Sequence, residues 1–550
     1  MSIKKNPENN KSFRNSLPGK QLGFKFFLFS LIVAFLIFYI YLQSRIYNFD
    51  GMVYALQMKA ASEGKGTLML YSPYHMLYLP TVFGIFKAAS ASGIVTDPLS
   101  FLRIFNLIIG FLSIALFYSF CGKRFKSASA SVFAASLYAS SFSVWFMSHE
   151  SETYILSVAI ILLLFSALFD FRPENFDGFK GLVIGFLLGL AALGHITAIL
   201  LVFPVGFYIL KRSRRKLKDF LATIITAGFT ISSQYLLFYI RSPFKGLKGF
   251  LSWFFQAVSY QKIYGGEVNF WEIGTASVLK TFVSTFDSIV SKFNYLKLDT
   301  NIFLCFRIVL AFAFFICIFL LIKKWRTMNS RDVFFLKVCL FWIIPLTIFY
   351  TFWGTSHFKF RIIVLPAIVV LLTASIFNIP ERKTGRKKIA AAAAILAVSV
   401  LTFNLFVSII PATGKNINSD LQKALWIKEA TPPSSNIIIL GLERRGYEFG
   451  KVYINYFSER NVIIMSWFIQ QSRKGHYKIS DYLRRIAVSG QNLFALNEVF
   501  DDLDGKRILL QRSDIHVEGE FDKFFTGFEY VPWKGISKDF FLYKLSLKED

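Results

Sequence analysis

The chain has 550 residues, of which 54% are hydrophobic, 18% aromatic and only 17% charged, against roughly 25% charged in soluble domains. A net charge of +28 would suit nucleic acid, but much of it lies in short runs between long apolar segments, where lysine and arginine set membrane orientation. Soluble globular and nucleic-acid-binding classes are excluded, which leaves a polytopic membrane protein.

Residues 1–23 read as a basic cytoplasmic tail. The next run, "KFFLFSLIVAFLIFYIYLQS" (24–43), lacks a small-residue cleavage site and reads as an uncleaved signal anchor. The stretch "SRIYNFDGMVYALQMKA" (44–60) then sets Asp50 just beyond the first crossing, among Tyr47, Phe49 and Tyr54. "SPYHMLYLPTVFGIFKAAS" (72–90) is short for a crossing and contains Pro73 and Pro80. It is expected to be a surface or re-entrant helix within a first outer loop, 44–99.

Further crossings are predicted at 100–120, 128–147, 153–170, 181–195, 197–210, 219–240, 301–322, 333–352, 359–377 and 389–410. The fourth and fifth of these meet at "GHIT". This arrangement keeps "CGKRFKS", "KRSRRKLK", "KKWRTMNSR" and "ERKTGRKK" on the cytoplasmic side. About eleven crossings place the C-terminus outside. "SYQKIYGGEVNFWEIG" (259–274) reads as an outer loop hinged at Gly265–Gly266, either a gate or a surface turn.

From 411 to 550 the chain turns polar. Short β-like runs ("NIIILGL", "NVIIMSWF", "RILLQ", "FFLYKLS") alternate with helical stretches, which predicts a small extracytoplasmic α/β domain. The fold class is therefore an α-helical polytopic membrane protein, its membrane module at 24–410, with this C-terminal domain. Cys121, Cys305, Cys317 and Cys339 lie in or beside apolar segments without metal or redox spacing.

This topology collects polar residues at one interface: Asp50, His75, Arg103, the turn "MSHESETY" with His149, Glu150 and Glu152, His195, and "WGTSHFKFR" with His357, Lys359 and Arg361. Singly, each suits a solvated loop acid, a snorkelling anchor or a packing imidazole. Together, at membrane depth, they mark a site or path.

Their order resembles the GT-C class of membrane glycosyltransferases. That class has an acid soon after helix 1, a "HPP-x-Y-x-L-Y"-like segment, an arginine opening helix 2, a basic turn, and an acidic "E-x-Y" motif at helix 4. Here "NFDG", "SPYHMLYLP", "LRIFNLIIG", "CGKRFKS" and "SHESETYIL" stand in those places. "GLAALGHITAILLVFP" and "HFKFRIIVLPAIVVLL" are similar to stretches of the protein O-mannosyltransferase-like branch. The resemblance covers about 44–377 in order, plus the outer domain. Asp50–Gly51 replaces a frequent Asp–Glu pair, and "SPYH" replaces "HPP".

The resemblance implies a GT-C fold and transfer of a sugar from a polyprenyl-phosphate-linked donor to a protein Ser/Thr, lipid or glycan hydroxyl on the outer face. Asp50 is expected as general base, its pKa raised by partial burial, with Glu152 orienting acceptor or sugar. Arg103, Lys359 and Arg361 are expected on the donor phosphate. Tyr74, His75, His149, Glu150, His195 and His357 are the remaining substrate-binding candidates. No metal or other cofactor is expected, the alternative being a divalent cation on Asp50, Glu150 and Glu152. A flippase or transporter, or a polymerase or ligase of lipid-linked sugars, is the competing class; a transporter would spread polar groups along a midplane path.

Overall fold

The computed structural model describes residues 40–548 apart from 126, 172–177, 243, 245, 256–274, 354–356, 378–382, 442–445, 447, 474–478, 513–519 and 538. Most of the predicted first crossing and the expected hinge at Gly265–Gly266 lie outside the described residues. In chain order the helices are α1 (Phe49–Ser62), α2 (Tyr78–Ala91), α3 (Pro98–Phe125), α4 (Ala128–Ser140), α5 (Phe142–His149), α6 (Tyr154–Asp170), α7 (Gly178–Gly194) and α8 (Val202–Arg212). There follow α9 (Lys216–Arg241), α10 (Gly246–Phe254), α11 (Thr275–Ile289), α12 (Thr300–Lys324), α13 (Ser330–Phe352), α14 (Leu365–Phe377) and α15 (Lys383–Asn404).

Among the described residues, five helical stretches are long and apolar enough to cross a membrane: Pro98–Phe125, Lys216–Arg241, Thr300–Thr327, Ser330–Phe352 and Ala391–Ala412. The pair α4–α5, bent by 57°, makes a sixth, and α6, α7 and α14 are shorter apolar helices. The expected helices were longer because three breaks carry little sequence signal. The stretches predicted from 197 and 359 open as 3₁₀ turns, Ile196–Leu201 and Phe358–Ile363. Helix begins only when Pro204 and Pro366 can stand in the first turn, where no amide donor is needed. The predicted helix 128–147 breaks where the Ser140 and Ser141 hydroxyls donate back to the Ser136 and Leu137 carbonyls, both at 2.7 Å, in competition with the helix ladder.

Asn404 seals that break. Its amide donates to the carbonyls of Ser140 (2.8 Å) and Ile289 (2.7 Å) and its oxygen accepts from Ser291 N–H (2.8 Å). Glycines set another contact. Gly181, Gly185 and Gly189 recur every fourth residue on α7 against α9; a Cβ at Gly185 would strike the Thr223 carbonyl, and one at Gly189 would lie 2.7 Å from Thr230 Cβ. Close approach of this kind holds membrane helices together without a hydrophobic driving force.

The C-terminal domain holds a five-stranded mixed sheet, β1 (Asn436–Ile439), β2 (Asn461–Ile464), β3 (Leu493–Leu496), β4 (Phe528–Ser537) and β5 (Phe540–Leu547). The strand order is β2-β1-β3-β5-β4, parallel across β2-β1-β3 and antiparallel beyond. Side chains alternate between faces along each strand. Ile438, Leu440, Ile463 and Ala495 pack on the domain's own helices. Ile437, Ile439, Phe494 and Leu542 pack in one cluster with Met52, Met58, Val82 and Phe86 of α1 and α2. The sheet thus shares a core with the first loop. α2 is 14 residues long, or roughly 21 Å, short of a bilayer's ~30 Å.

Candidate active site

The domain-bearing end of the bundle gathers residues from five separated segments. Asp50 lies in the first turn of α1, whose Asn48 cap accepts from the Asp50 amide. Glu152 immediately precedes Thr153, the cap residue of α6. Both carboxylates therefore stand at helix N-termini, where the dipole favours negative charge. Lys359, from the 3₁₀ turn before α14, reaches between them: Nζ donates to Asp50 Oδ2 at 2.7 Å and to Glu152 Oε1 at 3.1 Å. Side-chain exposures are 45% for Asp50, 14% for Lys359 and 1% for Glu152.

The charges bias one another. Burial drives Glu152 up to about 7, Lys359 pulls it down and Asp50 pushes it further up. Burial alone would weaken the Lys359 ammonium, but Glu152 and Asp50 together raise it above its ordinary value.

Gly51 makes the approach of α1 possible. A Cβ there would sit 3.0 Å from Ser151 Cβ and 3.2 Å from its nitrogen, closer than ordinary Cβ contacts, so glycine lets the Asp50 turn rest on the turn bearing Glu152 without displacing it. That turn is fixed from the other side by fully buried Asn106. Its amide donates to the carbonyls of Glu150 (2.5 Å) and Glu152 (2.7 Å), and its oxygen accepts from Tyr78 Oη (3.0 Å).

Two imidazoles border the carboxylates. His75 Nδ1 lies 3.3 Å from the Gly194 carbonyl and 3.1 Å from Thr153 Oγ1. A carbonyl only accepts, so Nδ1 carries the proton and Nε2 is an acceptor. His195 Nδ1 accepts from the Thr197 amide at 3.3 Å, which leaves its proton on Nε2. The rings, 4.9 Å apart, thus carry opposite tautomers. Burial depresses both, His75 to about 4. The His195 network continues through Thr197 Oγ1 (2.7 Å) to Tyr350 Oη (3.1 Å). Tyr154 packs on both rings, 4.7 Å from His195 and 6.1 Å from His75, and Tyr54 meets His75 edge-on at 6.4 Å.

The other predicted residues lie to the side of this group. Arg103, expected on the donor phosphate, donates from Nε to the His149 carbonyl (2.8 Å) and from Nη2 to the Ser44 carbonyl, and stacks on Tyr47. Arg361 is buried, donates to Ser284 Oγ at 2.9 Å and lies over the Tyr350 ring. His149 is buried with Nδ1 2.8 Å from the Trp145 carbonyl. Glu150, expected to touch substrate, is buried and accepts from the Asn48 amide at 2.8 Å; burial takes it up to about 8 against the pull of Arg103 and that amide. Tyr74 Oη donates to the Phe254 carbonyl of α10 at 3.3 Å. His357 is exposed, its ring 5.4 Å from Phe360.

Residues 80–240 match the family model for dolichyl-phosphate-mannose-protein mannosyltransferases. That stretch includes Arg103, Glu152 and His195 but neither Asp50 nor Lys359. No curated protein matches the sequence. Among solved structures, the chain is similar to ArnT from Cupriavidus metallidurans bound to undecaprenyl phosphate, at 10% identity and a TM-score of 0.60, covering 95% of this chain and 98% of that one. ArnT in the apo state gives 10% identity and 0.57, covering 87% and 93%. The Archaeoglobus fulgidus oligosaccharyltransferase complex with Zn and sulfate gives 13% and 0.43, covering 92% and 72%. At such identities the likeness to ArnT is one of fold. With the family match over 80–240, it agrees with the resemblance read from the motifs: the chain has the GT-C fold of polytopic membrane glycosyltransferases.

Proposed function

We propose that the protein is an integral membrane glycosyltransferase that moves a sugar from a polyprenyl-phosphate-linked donor to a hydroxyl acceptor on the outer face of the membrane. The observation that carries this reading is the Asp50–Lys359–Glu152 group, set beside His75 and His195 at the end of the bundle that bears the C-terminal domain. A transporter would need polar groups spread along a midplane path; this concentration at one end favours chemistry.

In the proposed reaction the acceptor oxygen forms a bond to the anomeric carbon as the bond from that carbon to the phosphate oxygen breaks. The acceptor proton passes to the Asp50 carboxylate, and the electron pair leaves with the polyprenyl phosphate. Lys359 holds one carboxylate oxygen of Asp50 and so aims the base. Its charge faces the phosphate as negative charge grows there. Glu152 keeps Lys359 in place from the buried side. His75 and His195 offer an acceptor and a donor to sugar hydroxyls. The Lys359 ammonium takes the position between Asp50 and Glu152 that a cation shared by them would occupy, so the proposed reaction runs without a metal. The polyprenyl-phosphate donor draws support from the family match and from the undecaprenyl phosphate held by the structurally similar ArnT.

The test compares a deletion strain with wild type by mass spectrometry of outer-face proteins, envelope glycans and polyprenyl-linked sugars. Loss of one sugar from an acceptor, with its lipid-linked donor accumulating on the outer face, is the expected result. Trapping of that donor on the cytoplasmic face would make the protein a flippase.

A further inference from the structure

We propose that the C-terminal domain is part of the catalytic apparatus, because Asn418 and Tyr453 position the backbone strap that carries Asp50. The proposal rests on the role given to Asp50 above. The strap, residues 44–48, belongs to no helix or strand, so its polar backbone groups need partners from elsewhere. From the membrane module come the Arg103 guanidinium on the Ser44 carbonyl and the Glu150 carboxyl on the Asn48 amide. Within the strap the Ser44 hydroxyl donates to the Ile46 carbonyl at 3.2 Å and accepts from the Ile46 amide at 3.0 Å; the remaining partners come from the far end of the chain. Asn418 Nδ2 donates to the Arg45 carbonyl at 2.9 Å, Tyr453 Oη donates to the Tyr47 carbonyl at 3.1 Å, and the Ala412 carbonyl accepts from Arg45 N–H at 2.8 Å.

The two side chains also brace each other. Asn418 Nδ2 lies 3.2 Å from Tyr453 Oη, and the ring of Tyr47 packs on Phe457, one turn beyond Tyr453, at 5.3 Å. Asp50 follows Tyr47, the last residue that the domain grips, by three positions. An error of about 1 Å in placing a catalytic group costs on the order of a hundredfold in rate, so the strap's anchors bear directly on the base. The ion pairs that also join the domain to α1 are weaker candidates for this task. Lys59–Glu459 spans 3.7 Å with side chains 33% and 52% exposed, and exposed pairs contribute little.

Two full-length variants isolate the clamp. Tyr453→Phe removes one hydroxyl and keeps the ring. Asn418→Asp keeps the oxygen that caps the helix at the Leu421 amide (3.0 Å) and loses both donated bonds. Both are assayed in liposomes with the lipid-linked sugar that accumulates in the deletion strain. The expected result is a fall in kcat of roughly five- to tenfold each, the scale of one lost hydrogen bond, with donor KM and thermal midpoint near wild type. Glu459→Gln is expected to leave both constants unchanged. Wild-type kcat in Tyr453→Phe and Asn418→Asp, alongside an inactive Asp50→Asn, would overturn the positioning role alone. A loss that vanishes after correction for the folded fraction would overturn it equally. Wild-type transfer by Asp50→Asn would remove the base assignment and this proposal together.

Discussion

Lys359→Met removes the charge between two carboxylates while keeping an unbranched apolar stem, so its effects report on charge rather than volume. Each lost contact, at 2.7 and 3.1 Å, is worth on the order of 5 kcal/mol gross at an effective dielectric near 20. Asp50 is 45% exposed and regains water; Glu152, at 1%, does not. The consequence therefore falls on Glu152. Its pKa is already raised to about 7, chiefly by burial, and Lys359 is the attraction opposing that rise. In the variant it rises further. A carboxyl raised on folding costs stability as pH climbs from its unfolded value to its folded one. Below about pH 7 Glu152 carries its proton in both proteins, and its ionisation contributes no difference. Above pH 7 the gap widens by about 1.4 kcal/mol per pH unit, reaching roughly that amount at pH 8. Thermal midpoints of detergent-solubilised protein, taken at one heating rate from pH 5 to 9, measure it. A difference that stays constant over that range would refute the coupling of Lys359 to Glu152.

Gly51→Ala places a methyl 3.0 Å from Ser151 Cβ and shifts α1 against the Glu152 turn by a few tenths of an ångström; transfer is expected to fall, by less than the roughly hundredfold that about 1 Å of misplacement costs, while the protein still folds, checked by activity against folded fraction. Glu150→Gln keeps an oxygen for the Asn48 amide and removes the titration. Wild-type stability should decline as pH rises from about 4.5 to about 8, the span between the ordinary and the raised value, and the variant should keep only the shallower decline due to Glu152, which ends near pH 7. Asn106→Leu leaves the Glu150 and Glu152 carbonyls without their donor and the Tyr78 hydroxyl without its acceptor, and is expected to destabilise by about 1–3 kcal/mol for each of these unsatisfied groups, read from the thermal midpoint. Transfer in the presence of excess EDTA should match the untreated rate.

Apolar runs and basic turns made the membrane class and the order of most helices legible, and alternating short runs pointed to the C-terminal α/β unit, although "RILLQ", read as β-like, lies in the helix Leu503–Arg512. The 3₁₀ openings at Ile196 and Phe358 were not legible, because apolar composition reads alike in both helical forms. The acids, histidines and cations of the site were legible because charge is rare in such a chain. Which way each pointed was not. Arg103, His149 and Glu150 read as substrate contacts; in the structure each binds backbone, His149 and Glu150 from buried positions and Arg103 from a half-buried one, and a loop's rotation about its axis leaves no pattern in sequence. Asn106 and Tyr453 were missed because an asparagine in an apolar helix and a tyrosine in a soluble domain signal nothing until their partners are known. The glycine of "NFDG", Gly51, carried a signal that was read only as a departure from Asp–Glu; it is the contact with Ser151 that gives it meaning.

The most direct test of the central claim is single-turnover transfer by purified Asp50→Asn in liposomes, using the donor and acceptor identified from the deletion strain. Asparagine keeps the shape and loses the proton acceptor. The account predicts that donor binding persists while the transfer rate drops by a factor of about 10²–10⁴, the usual worth of a general base. Transfer within twofold of wild type would contradict it.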